Sequence, residues 1–153
     1  MAKVILSLGT NLGNKQQNLD RAIELINRQM GFVKQKSSIY ETEPWGFNSF
    51  NNFLNQVIVV VTSLQPKEVL SIALDIEREM GRSRSIESYE DRIIDIDLLL
   101  YDDLVLNDLN LKIPHPKLHL RKFVLEPLVE ILPKEHHPVF QKSYRELLNS
   151  LEE

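Results

Sequence analysis

The 153 residues carry a net charge of −4, with 42% hydrophobic and 26% charged side chains. This length and balance fit one globular domain with its own core, exclude wholesale disorder, and argue against broad nonspecific binding to nucleic acid. No cysteine is present, so disulfides, thiolate metal sites and cysteine nucleophiles are excluded, and any metal must rest on carboxylate, imidazole or carbonyl groups, a donor set that favours hard cations such as Mg²⁺.

The opening MAKVILSLGTNLGN holds a short apolar run at 4–8 that reads as a first strand, not a signal peptide. No run reaches transmembrane length, so a cytoplasmic protein without a membrane partner is expected. Gly9 and Gly13 bracket a strand-to-helix turn that lacks the lysine and hydroxyl residue of a phosphate-binding P-loop; it is read as a tight turn allowing close approach to the backbone. Asn14 and Gln17 have capping-box spacing, and Leu19, Ala22, Ile23 and Ile26 form one helical stripe ending near Gly31, where a C-cap belongs. Residues 32–42 read as a second strand, 43–52 as an aromatic-rich loop, and 53–62 (FLNQVIVVVT) as a central strand.

Pro66 suits a first helical turn, and Val69, Ala73, Ile76 and Met80 keep one face before Gly81 stops the helix. The polar segment 82–92 predicts a mobile loop, and 93–101 (IIDIDLLLY) returns to strand. The stretch 113–116 (IPHP) is expected to be stiff and extended. A short helix follows at about 121–131, and Ser143 with Glu146 caps a last one. This order predicts an α+β domain with a ferredoxin-like core: a mainly antiparallel sheet with helices on both faces, in three α-β-α layers. A doubly wound sheet is disfavoured because 32–42 and 53–62 have no helix between them.

Asp95 and Asp97 alternate along a strand with Ile94, Ile96 and Leu98, so both carboxylates leave one face about 6–7 Å apart while the apolar residues face the other way. Two carboxylates beside a core resist ionisation, and a divalent cation removes that cost. A solvated sheet face, or pairing with arginine, accommodates the same pair. Arg82, Arg84 and Arg92 flank the loop ahead of that strand, and Arg121 follows His115. Guanidinium groups suit phosphate oxygens, and arginines facing metal-binding carboxylates are what phosphoryl transfer needs. A solvated loop pairing with Glu79, Glu87 and Glu90 is the alternative. Trp45, Phe47, Phe50 and Phe53, near Asn52 and Asn55, suit either a flat heterocycle or ordinary packing.

Taken together, SLGTNLGN, YETEPWG, FLNQ, MGRSR, DRIIDIDLLL, IPHP, RKFVLEPLVEI and the late HP pair resemble the 6-hydroxymethyl-7,8-dihydropterin pyrophosphokinases of folate biosynthesis, in order and spacing along nearly the whole chain. The resemblance implies transfer of the terminal diphosphate of ATP to the pterin hydroxymethyl group, with release of AMP. It implies Asp95 and Asp97 as ligands of two Mg²⁺ ions and Arg82 and Arg92 as catalytic. Glu77, Arg84, Leu98, His115 and Arg121 fall on the nucleotide side, and Thr42, Glu43, Trp45, Phe53, Asn55 and Phe123 on the pterin side, with Phe53 and Phe123 sandwiching the ring. The expected partners are these small molecules and no nucleic acid, with the chain a monomer and a single domain over 1–153. Two departures stand out: Tyr89-Glu90-Asp91 replaces a tryptophan-glycine-proline run, and Pro116 stands where some members have tyrosine, so Pro116 is assigned no nucleotide contact. The alternative function is a noncatalytic ferredoxin-like module for a ligand or RNA; acidic charge and the lack of the aromatic RNA-binding signature count against RNA.

Overall fold

The computed structural model describes residues 1–43, 51–81 and 92–152. Its two most apolar strands become the inner ones. β1 (Ala2–Thr10) and β4 (Phe53–Thr62) pair antiparallel along their full length, from Ala2 opposite Thr62 to Thr10 opposite Leu54. β5 (Asp95–Tyr101) adds antiparallel to the other side of β1, while β2 (Phe32–Lys36) and β3 (Tyr40–Thr42) share the outer side of β4. The order β2-β4-β1-β5, with α1 (Lys15–Gln29) after β1 and α2 (Pro66–Glu79) after β4, is the ferredoxin-like arrangement expected from the sequence.

Strand alternation divides the apolar side chains between two cores. Leu6, Leu8, Ile58, Val60 and Ile96 meet Leu19, Ala22 and Ile26 of α1 and Val69, Ala73 and Ile76 of α2. Ile5, Val57, Val59 and Leu99 point the opposite way, onto α3 (Lys122–Ile131) and α4 (Tyr144–Glu152), through Val124, Leu125, Leu128, Tyr144 and Leu147. The result is three layers. Among the described residues, no helix is long and apolar enough to cross a membrane.

Asn14 supplies one half of a capping box at α1, and Ser143 with Glu146 supplies both halves at α4. Asn14 Oδ1 accepts from the Gln17 amide, and Ser143 and Glu146 exchange side-chain and backbone hydrogen bonds at 3.0 and 3.1 Å. Gly81, at φ +89°, follows α2 as a left-handed stop. Gly31 has a different reason for being glycine: an added Cβ would fall 2.3 Å from the Val61 carbonyl oxygen, so bulk is forbidden where α1 turns into β2. In α1, Leu25 is fully buried and the expected Ile23 only partly so.

Residues 32–42 do not form one strand. Ser37 breaks the run: its amide donates to Val57 O at 2.8 Å, its hydroxyl accepts from Val57 N at 3.0 Å, and its own carbonyl accepts from Gln56 Nε2. The side chain thus takes a place in the ladder that backbone would otherwise fill. The strand expected at 93–101 begins two residues later, at Asp95. The stretch 113–116 closes a hairpin of β6 (Leu106–Asn107) and β7 (Lys112–Ile113), then bends through a cis Ile113–Pro114 peptide into a short 3₁₀ turn at Leu118–Leu120. Nothing in the apolar pattern of the sequence marks that hairpin.

His137 supplies a pH-sensitive element in the turn ahead of α4. The ring is buried, its Nδ1 accepts from the amides of Val139 and Phe140 at 3.1 Å each, and it stacks on Phe140 at 4.5 Å. A proton on Nδ1 would face two N–H donors, so the neutral Nε2–H tautomer is held. Burial, with His119 adding to it, pushes the pKa down to about 4 from 6.5. The folded state therefore binds this proton less tightly than the unfolded chain, and the stability it brings is full above about 6.5 and lost as pH falls toward about 4. Urea midpoints of the wild type and His137→Asn, compared at about pH 7 and about pH 5, should show a smaller pH-dependent loss in the variant. Equal losses would leave His137 out of the acid sensitivity.

Candidate active site

At one end of the sheet, the face that packs on α3 and α4 runs past its helices and becomes the floor of a cavity of about 620 Å³. The register explains which residues line it. Ser7 lies opposite Asp97, and Gly9 lies opposite both Asp95 on β5 and Asn55 on β4. Side chains from three adjacent strands therefore leave the same face. The register between β1 and β5 shifts at Ile5/Leu6, and just past that irregularity the Leu99 carbonyl accepts from the His115 amide at 2.9 Å. The bulge thus fixes the turn carrying His115 beside the strand carrying the two aspartates.

Twelve of the residues singled out from sequence line this one cavity: Thr42, Glu43, Phe53, Asn55, Glu77, Arg92, Asp95, Asp97, Leu98, His115, Arg121 and Phe123. Trp45, Arg82 and Arg84 lie outside the described residues, as do Glu90 and Asp91. Pro116, assigned no contact from sequence, also lines the cavity. So do residues the sequence reading missed or read otherwise: Gly9, Leu70, Leu74, Leu109 and Lys112. Gly9 is not part of a turn but an interior residue of β1, and an added Cβ there would sit 3.5 Å from Asn55 Oδ1 and 3.7 Å from Phe53 Cδ1. Its lack of a side chain leaves the floor low between them.

The two aspartates meet different arginines. Arg92 Nη1 lies 3.2 Å from Asp95 Oδ1, and Arg121 Nη1 lies 3.8 Å from Asp97 Oδ2. Of the two alternatives to metal binding, pairing with arginine is therefore present in the structure, whereas a freely solvated sheet face is not. Burial pushes the Asp97 carboxyl well above the usual carboxylate range, the neighbouring Asp95 charge adds to this, and Arg121 only partly opposes it. A third of the Asp97 side chain nonetheless faces the cavity, where a ligand reaches it. Glu77 stands behind the pair, 3% exposed, with Oε2 accepting from Ile96 N at 2.7 Å.

Arg92 is held through its backbone as well as its side chain. Its amide donates to Asn11 Oδ1 at 2.6 Å, its carbonyl accepts from Asn11 N at 2.9 Å, and Asn11 Nδ2 donates onward to the Asn51 carbonyl. Arg121, at the N-terminal boundary of α3, stacks its guanidinium 5.6 Å from the centre of the Phe123 ring. His115 Nδ1 accepts from the Lys117 amide at 3.1 Å, and burial together with Arg121 lowers its pKa to about 4. It is thus a neutral imidazole whose Nε2–H is the donor, not a second cation.

Among the described residues, no cluster of three or more acidic or imidazole groups could hold a metal. Asp95 and Asp97 alone suit a cation that takes one or two carboxylates and completes its shell with water and phosphate oxygens, which is the habit of Mg²⁺ rather than of a caged Ca²⁺ or a structural Zn²⁺. The donor set fits.

Paired acids facing arginines beside a slot lined by Phe53, Phe123 and Asn55, on a ferredoxin-like sheet, point to the class of phosphoryl-transfer enzymes. The family model described as 7,8-dihydro-6-hydroxymethylpterin-pyrophosphokinase (HPPK) matches residues 5–133. The 2-amino-4-hydroxy-6-hydroxymethyldihydropteridine pyrophosphokinase of Aquifex aeolicus is 40% identical over 146 residues, covering 95% of this chain and 90% of that one. The protein of the same name from Porphyromonas gingivalis is 42% identical over 139 residues, covering 89% and 95%. A crystal structure of wild-type Plasmodium falciparum HPPK-DHPS superposes with a TM-score of 0.81 at 19% identity; the match covers 97% of this chain but 44% of that one, and supports the fold alone. This chain belongs to the HPPK family.

Gly9→Ala tests the shape of the slot. A Cβ there makes only ordinary van der Waals contacts with protein, so the variant should fold with a melting temperature within a few degrees of wild type. Titration with 6-hydroxymethyl-7,8-dihydropterin should nevertheless show binding weakened by about tenfold or more, the added methyl occupying ligand space. Unchanged affinity would mean the ligand does not reach the floor at Gly9.

Proposed function

We propose that this chain transfers the terminal diphosphate of ATP to the hydroxyl of 6-hydroxymethyl-7,8-dihydropterin, releasing AMP, in folate biosynthesis. Family membership and the names of relatives at about 40% identity support pyrophosphokinase activity and disfavour a noncatalytic module. The observation that carries the reading is that one cavity joins an aromatic and amide-lined end, at Phe53, Asn55 and Phe123, to a charged end, at Arg92, Asp95, Asp97 and Arg121. A flat heterocycle fits the first and a polyphosphate the second. The same reading makes 1–153 one catalytic domain working as a cytoplasmic monomer on small molecules alone.

In this scheme the pterin hydroxyl oxygen attacks the β-phosphorus in line, a new O–P bond forms, the bond from the β-phosphorus to the bridging oxygen breaks so that AMP leaves with that oxygen, and the hydroxyl proton passes to solvent. Asp95 and Asp97 would hold Mg²⁺, two ions being expected, which when bound neutralises phosphate charge and polarises the phosphoryl oxygens. Arg92 and Arg121, already within reach of those carboxylates, offer guanidinium donors to the phosphates. His115 offers a neutral Nε2–H to a ribose or phosphate oxygen. Leu70, Leu74 and Leu109 give the outer part of the cavity an apolar lining suited to a nucleobase. Arg82 and Arg84 join the phosphate-binding set, and Thr42, Glu43 and Trp45 the pterin loop, by the family pattern. Catalysis then rests on positioning and electrostatics.

Incubation with Mg²⁺, ATP and the hydroxymethyl pterin, followed by nucleotide chromatography, should yield AMP; ADP would indicate single-phosphate transfer and overturn the reaction. Asp97→Ala should abolish turnover while far-UV circular dichroism stays native, and near-normal Mg²⁺-ATP activity would sink the metal assignment. Arg92→Ala should lower kcat by about a hundredfold or more with little change in pterin affinity. An effect confined to affinity would remove Arg92 from transition-state stabilisation.

A further inference from the structure

We propose that Glu130 is a positioning residue for the acceptor end of the cavity, acting through Tyr40 on the side-chain amide of Asn55; the inference rests on the pterin reading of that end. Glu130 lies outside the cavity, on the exposed surface of α3. It accepts from the Ser38 amide at 2.9 and 3.0 Å, from the Ser38 hydroxyl at 2.9 Å and from Tyr40 Oη at 2.8 Å. These are charge-assisted bonds, stronger than their exposure alone would suggest. Burial and the hydrogen bond to Glu130 push the Tyr40 phenol up to about 12. Burial alone would raise the Glu130 carboxyl, but the bonds from Tyr40 and Ser38 outweigh it and hold it below its usual range.

Tyr40 connects this surface group to the cavity floor. It opens β3 and lies opposite Asn55 in the ladder with β4. Its carbonyl accepts from Asn55 Nδ2 at 3.2 Å, and Thr42 Oγ1 takes the same nitrogen at 2.7 Å. A backbone carbonyl only accepts, so the amide must present its nitrogen to β3. Asn55 Oδ1 is thereby turned inward, over Gly9. The cavity offers an acceptor there, suited to the N–H groups along one edge of a pterin.

The same carboxylate also fixes the opposite wall. Phe123 stands two turns before Glu130 on the same stripe of α3. Glu130 therefore ties the helix bearing Phe123 to the strand that orients Asn55, next to Phe53. Among the described residues β3 is three residues long and pairs with β4, and the Glu130 bonds to Ser38 and Tyr40 tie it to α3. Removing the tie lets the slot widen and the amide reorient, while the arginines and aspartates at the far end keep their own contacts.

The test compares wild type, Glu130→Ala, Glu130→Gln, Tyr40→Phe and the Glu130→Ala/Tyr40→Phe double variant, using equilibrium binding of 6-hydroxymethyl-7,8-dihydropterin followed by its fluorescence and steady-state KM for each substrate. Glu130→Ala and Tyr40→Phe should each raise pterin Kd and KM about tenfold, with ATP KM within about twofold of wild type. The double variant should be little worse than either single one. Glu130→Gln, whose amide oxygen still accepts from Tyr40, should recover much of the loss. A lower melting temperature with pterin binding unmoved would reduce Glu130 to a local staple and overturn the proposal, as would equal rises for both substrates. If the wild type binds no pterin, the pterin reading falls and this inference falls with it; unmoved variants against a pterin-binding wild type overturn the inference alone. Should Glu130→Ala fail to fold, Tyr40→Phe decides by the same criteria.

Discussion

Asp95 and Asp97 share one face of a strand end with Glu77 buried behind them, and burial together with these neighbouring carboxylates makes a charge on Asp97 costly. At the strand spacing of about 6–7 Å, repulsion between the two aspartates alone is about 2–3 kcal/mol at an effective dielectric of ~20. Arg92 and Arg121, at 3.2 and 3.8 Å, return a larger attraction. Even so, burial leaves the Asp97 carboxyl above its normal range. Among the described residues, the arginines do not offset the cost of burying the Asp97 charge. Much of the surrounding architecture serves to hold cationic groups against this point: Asn11 pins the backbone of Arg92, and Phe123 supports the guanidinium of Arg121.

A buried carboxylate that is costly to charge is poised for a ligand that brings a cation. Had the arginines formed ideal bidentate pairs with both aspartates, those pairs would have to be broken before a cation could enter. Here the Arg121–Asp97 contact is long, at 3.8 Å, and about a third of the Asp97 side chain still faces the cavity. His115 follows the same logic. Kept neutral by burial and by Arg121, it offers a hydrogen bond without adding another charge to a crowded site.

The parts of this arrangement that could be read from sequence are those governed by a fixed period or a rigid local rule. Strand alternation put Asp95 and Asp97 on one face and Ile96 and Leu98 on the other, and the structure buries both apolar residues in the opposite core. Capping chemistry located α1 and α4, and Pro66 with Gly81 located α2, whose Gln65–Glu68 capping box went unread. Where reading failed, the cause was tertiary. Ser37 looks like any strand serine until its hydroxyl meets Val57 across the sheet. Gly31 looks like a helix stop, but its reason is the Val61 carbonyl contributed by another strand. Gly9 looked like part of a turn because its neighbours on β4 and β5 are far away in sequence. The Tyr40–Glu130 bond joins residues ninety positions apart, with no period to betray it.

The cavity's two ends also differ in how they are held, and that difference bears on how they can evolve. At the charged end the groups are fixed by contacts from Asn11, from α2 and β5, and from the turn after β7, so a change there disturbs its neighbours. At the amide-lined end, the direction in which Asn55 points depends on a three-residue strand tied to α3 through one exposed carboxylate. Surface substitutions are usually close to neutral for stability. A surface residue that sets the polarity of a buried amide escapes that generalisation, because its cost falls on recognition and not on folding. Affinity for the acceptor can therefore be adjusted from outside the cavity, without touching the groups that balance the charge of Asp95 and Asp97.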